Sequence, residues 1–259
     1  MIHTQPLTVP NTLPSQKSPP KALPLDYPRS LQRLIRTLRM LSPLTPRQLK
    51  GVMQDIQING QDLMRWADFD HSPRDSYGRK LVFQGGQFEI MVMSWLPGDF
   101  SAIHDHGHAQ WGAVQCFGEA EHYIYTLEGR TLKQPVAAHY KCGDIHTIDG
   151  DVIHQMGNRG SSPFLSLHVY GCEHTDSSIT GSARVFDLLE NSTQFTNGGV
   201  FFCLPESSIT RREYGLNGDS ETVNMQSVLM RDRIRKILAV EPDVTLERKI
   251  ALLEAQMQT

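Results

Sequence analysis

Residues 98–118 read G-D-F-S-A-I-H-D-H-G-H-A-Q-W-G-A-V-Q-C-F-G, and the His104-Asp105-His106 centre of this stretch decides the reading of the chain. Side chains alternate between faces along a strand, so His104 and His106 are expected to point the same way while Ile103 and Asp105 point the other. Two imidazoles on one face can reach one metal ion. Pro97 and Gly98 suit a turn into that strand.

A firm site needs a third ligand, and His154 is the best candidate, in G-D-I-H-T-I-D-G-D-V-I-H-Q-M-G-N over residues 143–158. The two stretches resemble the paired motifs of the cupins. Gly98, His104, His106 and Gly118 fit the first motif, and Gly143, His154 and Asn158 fit the second. Asp149 and Asp151 stand where the second motif usually has Pro and Gly. Gln110 or Trp111 stands where many cupins have a Glu as fourth ligand. Three neutral imidazoles without that carboxylate leave the ion its full charge and one open face. Imidazole suits Fe, Zn, Cu and Ni. An open face suits dioxygen and a chelating substrate, and a thiolate would bring the missing negative charge.

The flanking pattern is consistent with that reading. The chain has 259 residues and a formal net charge of −3. This length suits one sizeable domain with extensions, or two small ones. The near balance of charge speaks against nucleic acid or an anionic membrane as partner. No apolar run is long enough to span a bilayer. The start lacks a basic-then-apolar leader pattern, so a cytoplasmic protein is expected. Cys116, Cys142, Cys172 and Cys203 are widely spaced, which fits reduced thiols better than a disulfide frame.

Residues 1–27, rich in Pro, Thr, Ser and Gln, read as a flexible N-terminal arm. Leu31, Leu34, Ile35, Leu38 and Leu41 follow helix spacing, and Thr45-Pro46 reads as an N-cap with Pro in the first turn of a second helix ending near Ile56. A third, short helix is expected over Gln61–Trp66. From Tyr77 the period is that of strands: Leu81–Phe83, Phe88–Trp95, Gly112–Phe117, Glu121–Leu127, His139-Tyr140, Ile145–Ile148 and Phe164–Tyr170, with a hairpin turn over 84–87. The expected fold is mainly β, an antiparallel barrel or sandwich with N-terminal helices and a C-terminal helical extension. Beyond residue 175 the expectations are a short element over Arg184–Leu188, a strand over Gly198–Phe202, a helix over 222–240 and a last helix capped by Thr245. The expected division is an arm over 1–27, a core over 28–175 and an extension over 176–259 that packs on it.

In L-S-L-H-V-Y, residues 165–170, Leu165, Leu167 and Val169 share one face and Ser166, His168 and Tyr170 the other. Such a polar face lines either solvent or a polar cavity; a His-x-His strand in the same chain favours the cavity. Tyr170 there can donate a hydrogen bond to bound oxygen or to a carboxylate, with His168 and Ser166 orienting it or moving protons. Arg79, at a strand start, can take a carboxylate in a bidentate pair, though an Arg in that place is most often a solvated charge. His108 is expected to serve as support or solvent contact, His122, His139 and His146 as ordinary strand residues, and His71 and His174 as loop residues. Gln110 is a poor ligand for Fe(II), and Trp111 reads as pocket wall or core.

Y-x-R-x-L (Tyr77 to Leu81), S-x-I-H-D-H (Ser101 to His106), His154 and S-L-H-V-Y (Ser166 to Tyr170), in that order, resemble cysteine dioxygenases, the thiol dioxygenases of the cupin superfamily. The resemblance spans residues 77–170 and fades after about 175. It implies Fe(II) held by His104, His106 and His154, and L-cysteine bound through thiolate and amine. It implies Arg79, in its Tyr77-containing motif, at the substrate carboxylate, and Tyr170 at the reacting atoms with His168 and Ser166 behind it. Both atoms of O2 would go to sulfur, giving cysteine sulfinic acid. Eukaryotic members carry a Cys after the H-x-H that crosslinks to the Tyr; here Trp111 or Gly112 takes the place, so no thioether is expected. Gly171-Cys172 replaces the Ser-Pro-Pro that follows the Tyr in animal members. Both departures also fit relatives that oxidise 3-mercaptopropionate, whereas Arg79 favours cysteine. A non-redox cupin using Zn or Mn and a ligand-binding, non-catalytic cupin are the alternatives from other classes. Oligomeric state is not legible.

Overall fold

The N-terminal helices form where apolar spacing and capping agree. A computed structural model describes residues 22–173 and 178–257. Helix α1 (Arg29–Leu41) buries Leu31, Leu34, Ile35 and Leu38, while Leu41, at the frayed end, is half exposed. Helix α2 (Pro46–Ile56) opens with Pro46 behind a capping box: the Thr45 hydroxyl accepts from the Gln48 amide and Gln48 Oε1 accepts from the Thr45 amide. A short 3₁₀ helix (Gly60–Trp66) follows. Of the arm expected over 1–27, residues 1–21 lie outside the described residues; Tyr27 packs edge-on against Trp66 and donates to the Val82 carbonyl at 2.7 Å.

The strands are β1 (Gly78–Gln84), β2 (Phe88–Trp95), β3 (Trp111–Cys116), β4 (Ala120–Glu128), β5 (Thr131–Tyr140), β6 (Ile145–Asp149), β7 (Ile153–Gly157), β8 (Phe164–Gly171), β9 (Ala183–Asp187), β10 (Ser192–Thr196), β11 (Ile209–Tyr214) and β12 (Asn217–Gly218). One sheet has the order β1-β2-β8-β3-β6, a second β12-β5-β4-β7 and a third β11-β10-β9. All pairs are antiparallel except the two-residue β12–β5 pair. The sheets stack as a sandwich and do not close into a barrel.

Two apolar cores hold the layers. The outer face of the first sheet (Val82, Ile90, Val92, Ala113, Leu165, Leu167, Val169) packs on α1 and α2. Its inner face (Met91, Met93, Trp95, Val114, Tyr170) packs toward the other sheets and toward helix α3 (Ser220–Leu238) and helix α4 (Val244–Gln256). Strands β2 and β8 lie at the centre and are buried along their whole length, which is why both read as continuous apolar or tightly alternating runs.

His104 does not lie on a regular strand. It forms isolated bridges to His154 on β7 and to Val185 on β9. His104 and His154 exchange both backbone hydrogen bonds at 2.9 Å, while Asp105 N donates to Arg184 O and Phe186 N to Ile103 O. Residues 99–105 thus bridge the second and third sheets. The ends of the two sequence motifs meet as well: Gly98 N donates to Asn158 O, and Asn158 N to Asp99 O.

The C-terminal third departs from expectation. Gly198–Phe202 is not a strand; it is a loop whose Val200 carbonyl accepts from Ala102 N. The short element expected over Arg184–Leu188 is strand β9, and β10, β11 and β12 are strands that were not expected. Asp243, not Thr245, caps α4, accepting from the Thr245 and Leu246 amides.

Candidate metal and substrate site

The side chains at positions 104, 106 and 154 converge although no single strand carries the first two. Asp105 turns toward β9 and organises the turn: Oδ1 accepts from Gly107 N at 3.1 Å and Arg184 N at 2.8 Å, and Oδ2 pairs with Arg184 Nε. Gly107 follows at φ +58°, where a Cβ would lie 2.0 Å from the Gly181 carbonyl oxygen, so only glycine lets the chain turn against the 178–181 loop. His104 and His106 therefore flank one point. His154 Nε2 is 3.1 Å from His104 Nε2 and 3.0 Å from His106 Nε2.

All three imidazoles are buried. Burial pushes His104 down to about 4 and His106 and His154 well below the ordinary histidine value. The side chains are neutral at pH 7 and present lone pairs. Among the described residues the group holds no Cys, Asp or Glu. Three neutral, converging imidazoles fit a transition-metal ion.

Strand β8 faces this point with its polar side, as its alternation predicts. Trp95 Nε1 donates to Ser166 Oγ at 2.8 Å; Ser166 Oγ is 2.7 Å from His168 Nε2, and His168 Nδ1 is 3.0 Å from Tyr170 Oη. An indole N–H can only donate. The Ser166 hydroxyl accepts it, and the arrangement that gives the buried Ser166 hydrogen an acceptor sends it to His168 Nε2. His168, lowered to about 3 by burial, is neutral; in that arrangement its hydrogen sits on Nδ1 and is donated to Tyr170 Oη. The Tyr170 hydrogen is then left to point into the cavity. Burial raises the Tyr170 phenol, so it stays protonated. Trp95 is the member of this row that sequence reasoning missed; its signal was a polar-tipped aromatic at the end of an otherwise apolar strand.

The three imidazoles and Tyr170 line one cavity that opens on solvent. Arg79 and Tyr77 form one wall. Tyr77 is buried, stacks on Trp95 with ring centres 4.6 Å apart, and is pushed up to about 12 by burial. Arg79 Nη2 lies 3.4 Å from Thr180 Oγ1. Thr180 in turn donates to Glu89, a buried carboxylate that also accepts from Ser178 Oγ and Ile179 N. Met91, Met93, Met156 and Val200 supply apolar wall. Thr180, Ala183, Gly198 and Val200, all beyond residue 175, line the cavity.

Other candidates fall elsewhere. His108 is exposed. Gln110 faces away, its Oε1 accepting from Glu173 N at 2.7 Å. Trp111 belongs to the core under the helices, and Gly112, opposite Tyr170 in the β3–β8 ladder, faces the site. His174 lies outside the described residues. His122, expected as an ordinary strand residue, is buried and lies 2.6 Å from His154 Nδ1. Only the β4–β7 register brings it there, and nothing in the sequence announces that register. All four cysteines are free thiols. Among the described residues no helix is long and apolar enough to cross a membrane.

Residues 25–176 match the family model described as cysteine dioxygenase type I. The chain is 29% identical over 155 residues to cysteine dioxygenase type 1 of Danio rerio, covering 55% of this chain and 75% of that protein. It is 35% identical over 154 residues to the Rattus norvegicus protein of the same name, covering 55% and 74%. Among solved structures, a Klebsiella pneumoniae protein with a double-stranded β-helix domain is similar at 24% identity and a TM-score of 0.35, covering 42% of this chain and 85% of that one.

Proposed function

The chain belongs to the cysteine dioxygenase type I family, and on that premise we propose that it oxidises L-cysteine with O2 to cysteine sulfinic acid, using Fe(II) held by His104, His106 and His154. The observation that carries the proposal is the placing of three buried, neutral imidazoles in one cavity with Arg79 on one wall and the Tyr170 hydroxyl on another. In balance, one thiol and one O2 give one sulfinic acid; both oxygen atoms form bonds to sulfur, and no external reductant is consumed.

Fe(II) supplies redox capacity toward dioxygen and open coordination positions for the substrate, which an all-imidazole donor set leaves available. The chain's own residues supply the rest. Arg79 pairs with the substrate carboxylate and sets which end of the molecule enters first. The Arg79–Thr180–Glu89 contacts hold the guanidinium on the cavity wall. Tyr170 donates a hydrogen bond into the cavity, and the row through His168 and Ser166 to Trp95 keeps that hydrogen aimed inward. The methionine and valine wall keeps bulk water from the reacting sulfur, which strengthens every polar contact there. Residues 28–175 would be the catalytic core and 176–259 a cover that completes its pocket, in a cytoplasmic setting.

The test is oxygen uptake by anaerobically Fe(II)-loaded protein with L-cysteine, 3-mercaptopropionate and cysteamine in parallel, with the sulfur product identified. Uptake with cysteine at about one O2 per thiol, yielding the sulfinate, is expected. Uptake with 3-mercaptopropionate alone would keep the site and change the substrate. No uptake with any thiol by iron-loaded protein would overturn the enzyme reading and leave a binding or non-redox role.

A further inference from the structure

The three candidate ligands differ on their far sides. His104 Nδ1 lies 2.9 Å from the Ala102 carbonyl oxygen. His106 Nδ1 is buried and has no hydrogen-bond partner among the described residues. His154 Nδ1 meets a second imidazole, His122 Nε2, at 2.6 Å, and His122 Nδ1 lies 2.5 Å from Tyr140 Oη. His122 and Tyr140 are both buried, and Tyr140 is clamped by ring stacking on His146. Neither residue lines the substrate cavity, so substrate contact does not account for them.

The direction of this row follows from what a metal requires. A neutral imidazole has one N–H and one lone pair. For His154 to offer Nε2 to an ion, its hydrogen must sit on Nδ1. Nδ1–H then donates to His122 Nε2, which must be a lone pair; His122 therefore carries its hydrogen on Nδ1 and donates to Tyr140 Oη. Each member fixes the tautomer of the next. Hydrogen bonds in a buried row polarise one another, so the row draws the Nδ1 hydrogen outward and leaves more electron density on Nε2. The Ala102 carbonyl does the same for His104 from a fixed backbone position, without a side chain that can be exchanged.

We propose that His122 and Tyr140 are positioning residues that lock His154 as the Nδ1–H tautomer and raise its strength as a metal ligand. The proposal rests on the reading of His104, His106 and His154 as metal ligands, but not on dioxygenase activity. It is a tuning device outside the ligand set: a neutral His–Tyr row takes the place that a carboxylate partner holds in many His–metal sites.

The experiment is anaerobic Fe(II) affinity, read by competition with a chromophoric chelator, without thiol or oxygen. The proteins are the full chain and its His122→Phe, His122→Gln and Tyr140→Phe variants. Phe keeps a buried ring but offers no acceptor; Gln offers an amide oxygen that can take the His154 hydrogen. His122→Phe is expected to weaken Fe(II) binding by about ten- to hundredfold. His122→Gln should recover most of that loss, and Tyr140→Phe should fall between. Wild-type affinity in His122→Phe overturns the proposal. So does equal weakness in the Phe and Gln variants, because that pattern reports lost packing and not a lost acceptor. Thermal unfolding of the metal-free variants shows whether each folds. If His122→Phe does not, Tyr140→Phe decides: severalfold weaker binding supports the row, and unchanged binding overturns it. A wild-type chain that binds no Fe(II) removes the metal site and the row together, whereas tight binding with no thiol oxidation removes only the dioxygenase reading.

Discussion

Gly112 pairs with Tyr170 across the β3–β8 ladder, and a Cβ on Gly112 would lie 2.7 Å from Tyr170 Cδ1 and 3.0 Å from the Val169 carbonyl oxygen. The Tyr170 ring uses the space that a side chain at 112 would fill. Glycine brings no sulfur to that position, so an intact mass with no hydrogens lost to a Tyr170 thioether is expected. Gly112→Ala overpacks a buried ring and should destabilise by about 1–3 kcal/mol while moving the hydroxyl. Thermal unfolding and oxygen uptake check this; wild-type values in both would show that the ring has slack.

The row Trp95–Ser166–His168–Tyr170 makes a graded prediction. Tyr170→Phe removes the donor itself and should lower the rate of thiol oxidation on the order of a hundredfold. Trp95→Phe leaves the donor but frees Ser166 to reverse its hydrogen bond, so a smaller loss of roughly tenfold is expected. Steady-state oxygen consumption reads both, and equal losses in the two variants would contradict the assigned direction.

Arg79→Ala should reduce kcat/KM for L-cysteine by roughly ten- to hundredfold, chiefly through KM, as the loss of one charge-assisted carboxylate contact of about 1.5–3 kcal/mol predicts. A thiol without a carboxylate, such as cysteamine, should be handled alike by both proteins. An unchanged KM for cysteine would take Arg79 out of the site.

A pH dependence is set by a buried cluster outside the three-imidazole group. His71 Nε2 is 3.0 Å from Asp99 Oδ2, and Arg233 and Lys236 face the same carboxylate at 2.8 Å and 3.6 Å. Burial alone would push His71 down, but the Asp99 hydrogen bond leaves it above the ordinary value of 6.5. Its contribution is therefore full below that value and is lost as pH rises through the raised one. Burial raises Asp99, yet His71 and Arg233 outweigh it and hold the carboxyl below its ordinary 3.8, so that contribution is present above 3.8 and lost as pH falls. The stability gap between wild type and His71→Gln should be wider near about pH 6 than near about pH 8.5. Denaturant melts at the two values test it, and a constant gap would refute the linkage.

Asp105 should matter more than its partner. Asp105→Ala strips a buried carboxylate from two backbone amides and a guanidinium, and a destabilisation of roughly 3 kcal/mol is expected, with weakened metal binding. Arg184→Ala removes a guanidinium that is more than a third exposed, with its contact to the Phe186 ring, and should change stability by about 1 kcal/mol or less. Chemical denaturation of both variants gives the comparison; equal effects would mean that the backbone contacts contribute little.

Much of this was legible in the chain. Alternation along residues 165–170 assigned each β8 side chain to its face, and the Thr45–Gln48 box with Pro46 fixed the start of α2. The convergence of His104 and His106 was legible in outcome but not in cause: a strand was expected, and an Asp105 tied to Arg184 with a glycine turn does the aiming. Strand β10 was hidden because one face of it, Ser192, Gln194 and Thr196, is buried yet polar, leaving Phe195 as its one buried apolar side chain. Their satisfaction comes from partners distant in sequence or local to the turn, such as Asp187 for Gln194, so a hydrophobic period could not reveal them. The loop at Gly198–Phe202 has strand-like composition because Val200 and its neighbours pack into the cavity and core, and burial without pairing looks the same in sequence as burial in a sheet. His122 was invisible because cross-strand neighbours depend on register.

The bridge that His104 makes between His154 and Val185 bears on the order in which a ribosome delivers the parts. The first two ligands emerge early, the third some fifty positions later, and the strand that closes the other side of the ligand segment comes later still, with Ala183–Asp187. Until that strand has left the exit tunnel, the His104–Val185 bridge and the Asp105–Arg184 contacts have no partner to form with. Assembly of the metal-binding pocket is thus a late event in the synthesis of this chain, and a nascent product arrested before Ala183 would hold all three imidazoles without the frame that aims them.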